Sequence, residues 1–165
     1  MSTDAIVMLK ADHRDVAKLF TEFERSSTTP ARKRTIVRRV IEMLTVHTYL
    51  ENEVMYPEVR RLVPDLETDV LESYEEHHVA DVLSAELFAM DPKSEHYFPK
   101  FTVLMENVRH HVEEEEQDWF PQVREALGRT QLREMGARML ELRPSAPTKP
   151  SQPSALKKAV DAVIA

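Results

Sequence analysis

The stretch HTYLENEVMYPEVR at residues 47–60 returns 64 residues later, at 111–124, as HVEEEEQDWFPQVR. Both copies place a glutamate four residues after a histidine, and a proline six residues after that glutamate. At a spacing of four, two side chains lie one above the other on the same face of a helix. The two copies therefore predict two helices that each direct a histidine and a glutamate to one side.

The same 64-residue shift extends beyond these two stretches. It places His13 on His77, and it aligns Tyr56 with Phe120. Identical residues also meet at 19 and 83, at 22 and 86, and at 42 and 106. A repeat of this kind indicates one helical hairpin used twice.

Apolar residues recur at helical spacing in four long segments, which predicts an all-α chain. The segments are 3–26, 31–62, 66–90 and 95–127. Short connections between them favour an up-down-up-down antiparallel four-helix bundle over residues 1–128. Pro30 is placed to open the second helix, Pro57 should kink it or end it early, and Gly128 should cap the fourth.

The rest of the chain is predicted to form a C-terminal extension. Residues 129–143 are expected to be a short helical segment. Residues 144–165 begin with four prolines in ten residues, which predicts a linker, and they end in a short amphipathic helix at 155–165. This tail either packs loosely on the bundle or docks on a protein partner.

Equal distances from the turns should bring the repeated histidines to one depth. His13 and His47 lie about 14 and about 16 residues from the break at 26–30, which is ~21–24 Å along a helix. His77 and His111 flank the break at 91–94 in the same way. The residues predicted to converge are His13, His47, Glu51, His77, His111 and Glu115.

Two buried carboxylates without a facing lysine or arginine are costly, and bound cations would neutralise them. Six ligands exceed what one tetrahedral zinc ion uses. Two ions bridged by carboxylates fit the set better. Imidazole and carboxylate ligands without sulfur favour iron, with manganese next and zinc less favoured.

These residues resemble those of the hemerythrin-like, HHE cation-binding domains. The similarity covers about 5–127 and includes the Tyr-Pro and Phe-Pro pairs that follow the two His-x-x-x-Glu motifs. It implies two iron ions joined by an oxo or hydroxo bridge, with Glu51 and Glu115 spanning both. The histidine pairs that it implies as ligands of the separate irons are His77 with His111 and His13 with His47.

One position departs from the pattern of oxygen-carrying hemerythrins, which have a further histidine one turn after the histidine of the third helix. This sequence has Asp81 there, and Ala17 at the equivalent place in the first repeat. Asp81 is expected either to be a fifth terminal ligand of the His77 ion or to orient a histidine from outside the coordination shell. If Asp81 is a ligand, the open position lies on the other ion, beside Ala17.

A diiron centre with an open position predicts a protein that binds O₂, NO or peroxide as a carrier or sensor, or a catalase-like or peroxidase-like enzyme. The alternatives are an iron-storage or regulatory interaction module without catalysis, and a bundle that the metal only holds together.

Composition excludes several other classes. A net charge of −7 leaves no basic footprint for nucleic acid. No apolar run approaches the ~18–20 residues of a membrane span, and the first ten residues do not form a signal peptide. The chain has no cysteine, so a cytoplasmic location is expected.

Overall fold

The structure is a computed structural model, and it describes residues 3–150. Within that range the regular elements are helical and there is no strand. The helices are α1 (Ala5–Glu24), α2 (Pro30–Leu50), α3 (Tyr56–Leu62), α4 (Glu67–Ala89), α5 (Tyr97–Glu114) and α6 (Phe120–Leu142), with π-helical turns at Glu51–Met55 and Glu115–Trp119 and 3₁₀ turns at Pro64–Leu66 and Arg143–Ser145. None of the helices in residues 3–150 combines the length and the apolar character that a membrane crossing requires.

These elements build four long bundle helices, because each π-helical turn joins two α-helices end to end. α2 continues into α3, and α5 continues into α6. α1 packs against α2 and α6, while α4 packs against α2 and α5. The predicted all-α, up-down-up-down four-helix bundle is confirmed.

Local capping sets where the first two helices begin. The Asp4 carboxylate accepts a hydrogen bond from the amide of Val7 at 3.0 Å, and the Thr29 hydroxyl accepts one from the amide of Arg32 at 3.2 Å. Such bonds satisfy amides that have no partner inside the helix. Pro30 follows as the first residue of α2, where an amide hydrogen is not needed. The prediction that Pro30 opens the second helix is confirmed.

Of the two effects predicted for Pro57, a kink or an early end, the structure shows a local distortion, and the second bundle helix continues past it to Leu62. Proline has no amide hydrogen for the carbonyl four residues back. In the π-helical turn that precedes Pro57, the amide of Tyr56 reaches back five residues to the carbonyl of Glu51. The turn before Pro121 is built in the same way. A local widening therefore accommodates each proline, and the helix continues beyond it.

Gly128 interrupts α6 with non-helical backbone angles, at the position where the end of the fourth helix was predicted. Its φ of 71° lies in the left-handed region, which glycine adopts without steric cost. A helical segment resumes after it and ends at Leu142, within the predicted extension 129–143.

The segment after Gly128 packs back on α1 and shares the core of the bundle. Met135 and Met139 are buried in one apolar cluster with Ile6. Gly136 lies so close to the start of the chain that a Cβ atom there would be 1.6 Å from the carbonyl oxygen of Thr3. Only glycine fits at this crossing. The predicted terminal helix at 155–165, and with it the partner-docking alternative, lies outside the described residues.

Two apolar clusters fill the bundle, and a polar layer separates them. Leu9 and Leu50 belong to one cluster, and Val16 and Leu44 belong to the other. His13 and His47 lie between these positions along α1 and α2, and the full set of buried histidines and glutamates, which belongs to neither cluster, is His13, His47, Glu51, His77, His111 and Glu115. Such a layer is costly unless its groups are paired or hold ions.

Candidate metal centre

The six predicted ligands meet in this layer as two overlapping groups. The first group is His13, His47, Glu51 and Glu115, and the second is Glu51, His77, His111 and Glu115. Within each group the donor atoms lie within 4.8 Å of one another. Because both glutamates belong to both groups, the arrangement has the form of two adjoining cation sites.

The four histidines turn their Nε2 atoms toward the centre. Nε2 of His13 lies 3.1 Å from Nε2 of His47, and Nε2 of His77 lies 3.0 Å from Nε2 of His111. Two imidazole lone pairs repel each other at this distance. Each pair therefore needs either a shared proton or a shared cation between its nitrogens.

Glu51 connects the two groups through one oxygen. Its Oε2 atom lies 3.2 Å from Nε2 of His47 and 3.1 Å from Nε2 of His77, which belong to different hairpins. The other oxygen, Oε1, is buried and has no hydrogen-bond partner. The side chain is fully buried, so this carboxylate is placed to bind cations on both sides.

Glu115 connects the groups with both oxygens. Oε2 lies 3.3 Å from Nε2 of His13, and Oε1 lies 3.3 Å from Nε2 of His111. Oε2 accepts no hydrogen bond. Unpartnered oxygens on two fully buried carboxylates, facing four imidazole nitrogens, are what a site for cations requires. The residues present therefore fit a pair of metal ions.

Each histidine is also held from outside, by a hydrogen bond at Nδ1. The pairs are His13 with Glu116 at 2.8 Å, His47 with Asp12 at 3.3 Å, His77 with Asn52 at 3.0 Å, and His111 with Glu76. A bond at Nδ1 fixes the ring and leaves the Nε2 lone pair for a cation.

These outer partners were missed in the sequence, although they follow its repeat. The 64-residue shift places Asp12 on Glu76 and Asn52 on Glu116. In each case a hydrogen-bonding side chain stands directly beside a ligand position. That regularity was a usable signal.

Asp12 is itself held by Arg143, from the 3₁₀ turn after α6. The Arg143 guanidinium donates two hydrogen bonds to the Asp12 carboxylate, at 2.8 and 3.3 Å. Burial opposes ionisation of Asp12, but hydrogen bonds from His47 and Arg143 outweigh it and lower the pKa of the carboxyl to about 2. The C-terminal extension therefore supports the metal centre through Arg143, Asp12 and His47.

We expect Asp12→Asn to weaken metal binding about 10–100-fold, the usual cost of losing a partner that orients a ligand histidine. Competition with a chelator of known affinity measures the change. Asp15→Asn is the matched control, because Asp15 is exposed and, among residues 3–150, its ion pair is with Lys18. Equal affinities for the two variants would show that Asp12 does not position His47.

Tyr56 also reaches the centre, and the sequence interpretation assigned it no role. Its ring is buried, and its hydroxyl donates a hydrogen bond to Oε1 of Glu115 at 2.8 Å. The aligned residue, Phe120, lies flat against the imidazole of His13, with ring centroids 6.2 Å apart. The exchange of tyrosine for phenylalanine directly before the proline that both motifs share was the sequence signal for this residue.

Asp81 joins neither group, contrary to the expectation that it is a ligand or orients a histidine. The buried face of α4 contains Ser73, His77 and Ala80, and Asp81 lies beside this face. Its carboxylate is half-buried, and burial raises its pKa to about 6. The Nδ1 atom of His77 is bonded to Asn52 instead.

Without metal, the site balances its charges with protons. Burial alone would lower the pKa of His47, but Glu51 and Asp12 outweigh that effect and raise it to about 10. Burial likewise opposes charge on His111, yet Glu115 raises its pKa well above the ordinary value. Two imidazolium groups thus face two carboxylates.

A cavity of about 380 Å³ adjoins the four histidines. Its apolar lining comes from four helices and consists of Val16, Ala17, Phe20, Leu44, Ala80, Val108 and Val112. Exposed residues of α1 and α5, among them Ala17 and Arg109, also border it. The cavity therefore leads from solvent, between α1 and α5, to the histidine side of the centre.

The fold and the site together define a helical bundle with a buried histidine–carboxylate centre for metal cations. The model of the Hemerythrin HHE cation binding domain family matches residues 4–123, and the chain belongs to this family. It is a metal-binding domain of the hemerythrin type.

Two known proteins illustrate the similarity. A hemerythrin HHE cation binding domain-containing protein from Mycobacterium kansasii has a crystal structure that matches with a TM-score of 0.66 and 21% identity, over 86% of this chain and 88% of that one. A protein named DNA nickase, from Nostoc sp. (strain PCC 7120 / SAG 25.82 / UTEX 2576), is 30% identical over 124 residues, which are 75% of this chain. The match spans only 34% of the length of that relative.

Proposed function

We propose that this protein is a non-haem diiron protein that binds O₂, NO or peroxide and turns peroxide over. The observation that carries the proposal is the pair of four-donor groups that share Glu51 and Glu115 and adjoin a cavity. A set of nitrogen and oxygen donors without sulfur favours iron. Membership of a cation-binding family supports it.

Each group of residues would have its own role in this function. The histidines and glutamates would hold the ions, and the outer hydrogen bonds would keep the imidazole rings oriented. The apolar cavity admits a small uncharged molecule to the histidine side. Bound iron would supply the binding position for this molecule and the redox chemistry.

The nicking activity in the name of the Nostoc relative is not extended to this chain. A net charge of −7 does not favour binding to DNA. The relative also has a much longer chain, of which this match covers 34%.

The first expected result is stoichiometric: two metal ions per chain, mainly iron, after expression in iron-sufficient medium. The reason is that six inward side chains form two donor groups rather than one. Elemental analysis, combined with the protein concentration from amino-acid analysis, measures the number of metal ions per chain. A reproducible value near one ion per chain, or a predominance of zinc, would rule out the diiron centre.

Peroxide turnover is the direct test of reactivity, because disproportionation needs no second substrate. Two molecules of hydrogen peroxide should give one O₂ and two waters in the presence of the iron-loaded protein. The zinc-loaded protein is the control and should be inactive. Azide or NO binding without peroxide turnover would favour a carrier or sensor. If the protein neither binds azide or NO nor turns peroxide over, the iron-storage or regulatory alternative remains.

A further inference from the structure

The cavity beside the four histidines is larger than a diatomic molecule or hydrogen peroxide requires. Its volume is about 380 Å³, whereas an apolar cavity of about 150 Å³ already holds a benzene molecule. Pockets that bind organic molecules begin at about 300 Å³. The space is therefore sufficient for a ring and several further carbon atoms.

The cavity extends along the bundle, away from the glutamates. All four histidines line it, whereas Glu51 and Glu115 are not among its lining residues. On α1 it reaches Phe20, seven residues after His13, which is ~10 Å along a helix. Because the two glutamates lie on the other side of the donor groups, cations bound there would leave this extension free.

The walls of the extension are apolar. Val16, Leu44, Ala80 and Val108 come one from each of the four bundle helices, and all of them are buried. Their side chains offer water no hydrogen bonds. An apolar molecule that covers them gains about 25 cal/mol for each Å² of apolar surface removed from water.

The charged residues along the cavity favour an uncharged occupant. The guanidinium of Arg109 donates two hydrogen bonds, both of 2.8 Å, to the carboxylate of Glu24, which compensates its charge. Glu113 and Glu116 also line the cavity. Carboxylates at an opening repel an approaching anion, so a neutral molecule enters more readily.

We propose that the cavity holds the hydrocarbon part of an organic hydroperoxide, and that uncharged hydroperoxides of about six to ten carbon atoms are substrates of this centre. The proposal rests on the proposed turnover of peroxide and names its substrate class. The hydroperoxide group lies at the histidine end of the cavity, and the hydrocarbon part fills the apolar extension.

The reaction balances with hydrogen peroxide as the reductant. The O–O bond of the organic hydroperoxide breaks, and the products are the corresponding alcohol and one water. Hydrogen peroxide gives up two electrons and two protons and leaves as O₂. The sum is ROOH + H₂O₂ → ROH + H₂O + O₂, in which one molecule of each peroxide is consumed.

Binding is tested apart from turnover with 2-phenyl-2-propanol, the unreactive alcohol that corresponds to cumene hydroperoxide. Isothermal titration calorimetry of the iron-loaded protein should show saturable binding of one molecule per chain. Ala80→Leu fills space inside the cavity, and Ala17→Leu narrows its edge. Each should weaken binding about 10-fold or more, because the alcohol can no longer bury its full apolar surface. Ala17 is exposed, so that variant should fold even if Ala80→Leu does not.

Ala89→Leu is the matched control. It makes the same substitution at an exposed residue of α4 that does not line the cavity. This variant should bind 2-phenyl-2-propanol as the wild-type protein does, and all of the proteins should retain two ions per chain.

Turnover is measured with cumene hydroperoxide and hydrogen peroxide together, and chromatography quantifies the alcohol that forms. The wild-type protein should produce it, and the KM for cumene hydroperoxide should rise about 10-fold in Ala80→Leu and Ala17→Leu, in parallel with the loss of binding.

The outcomes separate this proposal from the proposed function. Turnover of hydrogen peroxide without consumption of cumene hydroperoxide would overturn the substrate class and leave the proposed function intact. Turnover of neither peroxide would overturn both. Binding of 2-phenyl-2-propanol that Ala80→Leu and Ala17→Leu leave unchanged would place the molecule outside the cavity and refute the proposal.

Discussion

Glu51→Ala should remove both metal ions, whereas His13→Ala should remove only one. The carboxylate of Glu51 touches His47 on one side and His77 on the other, so its loss opens both donor groups. His13 belongs to the first group alone. Loss of an outer partner costs about 10–100-fold in metal affinity, and loss of a shared ligand should cost more than that at both sites. Elemental analysis after dialysis against a chelator measures ions per chain.

Glu113→Ala is the control for this comparison. Glu113 lies exposed on α5, two residues before Glu115, and belongs to neither donor group. The control should retain two ions. A Glu51→Ala protein that keeps one tightly bound ion would show that the two sites do not share this carboxylate.

Removal of the metal should destabilise the protein much more at pH 9 than at pH 6. In the metal-free site, Glu51 and Asp12 raise the pKa of His47 to about 10 against the effect of burial. The ordinary value for histidine is about 6.5. A raised pKa contributes stability that is fully present below about pH 6.5 and is lost as the pH rises toward 10. Protons therefore replace the metal at pH 6 and are lost as the pH rises.

The expected size follows from the cost of a buried charge that loses its partner, about 3–5 kcal/mol. The Tm of a chain of this length shifts by about 2–4 °C for each kcal/mol of unfolding free energy. The difference in Tm between the metal-loaded and the chelated protein should therefore be roughly 10 °C larger at pH 9 than at pH 6. Thermal unfolding at the two pH values measures it. The metal-free Glu51→Gln, Glu115→Gln double variant should lose most of this pH dependence. If the Tm difference between the loaded and chelated protein is the same at both pH values, protons do not replace the metal in the way described.

Helical periodicity and the 64-residue repeat were sufficient to predict the bundle. The histidine and glutamate of each His-x-x-x-Glu motif are neighbours along one helix, so their common face follows from helix geometry alone. The equal arms of the hairpins then place His13 beside His47. These relations depend on chain lengths and local spacing, which a sequence displays directly.

The assignment of Asp81 failed because it depended on a small rotation. A residue four positions after His77 lies about 40° around the helix from it, and the packing of α4 turned Ala80 toward the cavity instead. Tyr56 was missed for a related reason. Helical periodicity assumes regular turns, and the π-helical turn before Pro57 shifts the face of the following residue.

What the sequence by itself determined is the all-α bundle and the set of six inward histidine and glutamate side chains, since both follow from periodicity and repeat length. The tertiary structure alone decided which oxygen of each glutamate contacts which histidine, and that Tyr56 enters the centre. It also decided that Arg143 holds Asp12, across 131 residues of chain. Those contacts depend on how each helix is rotated about its axis and on where distant segments meet. Packing of the whole core sets both, and no local spacing encodes them.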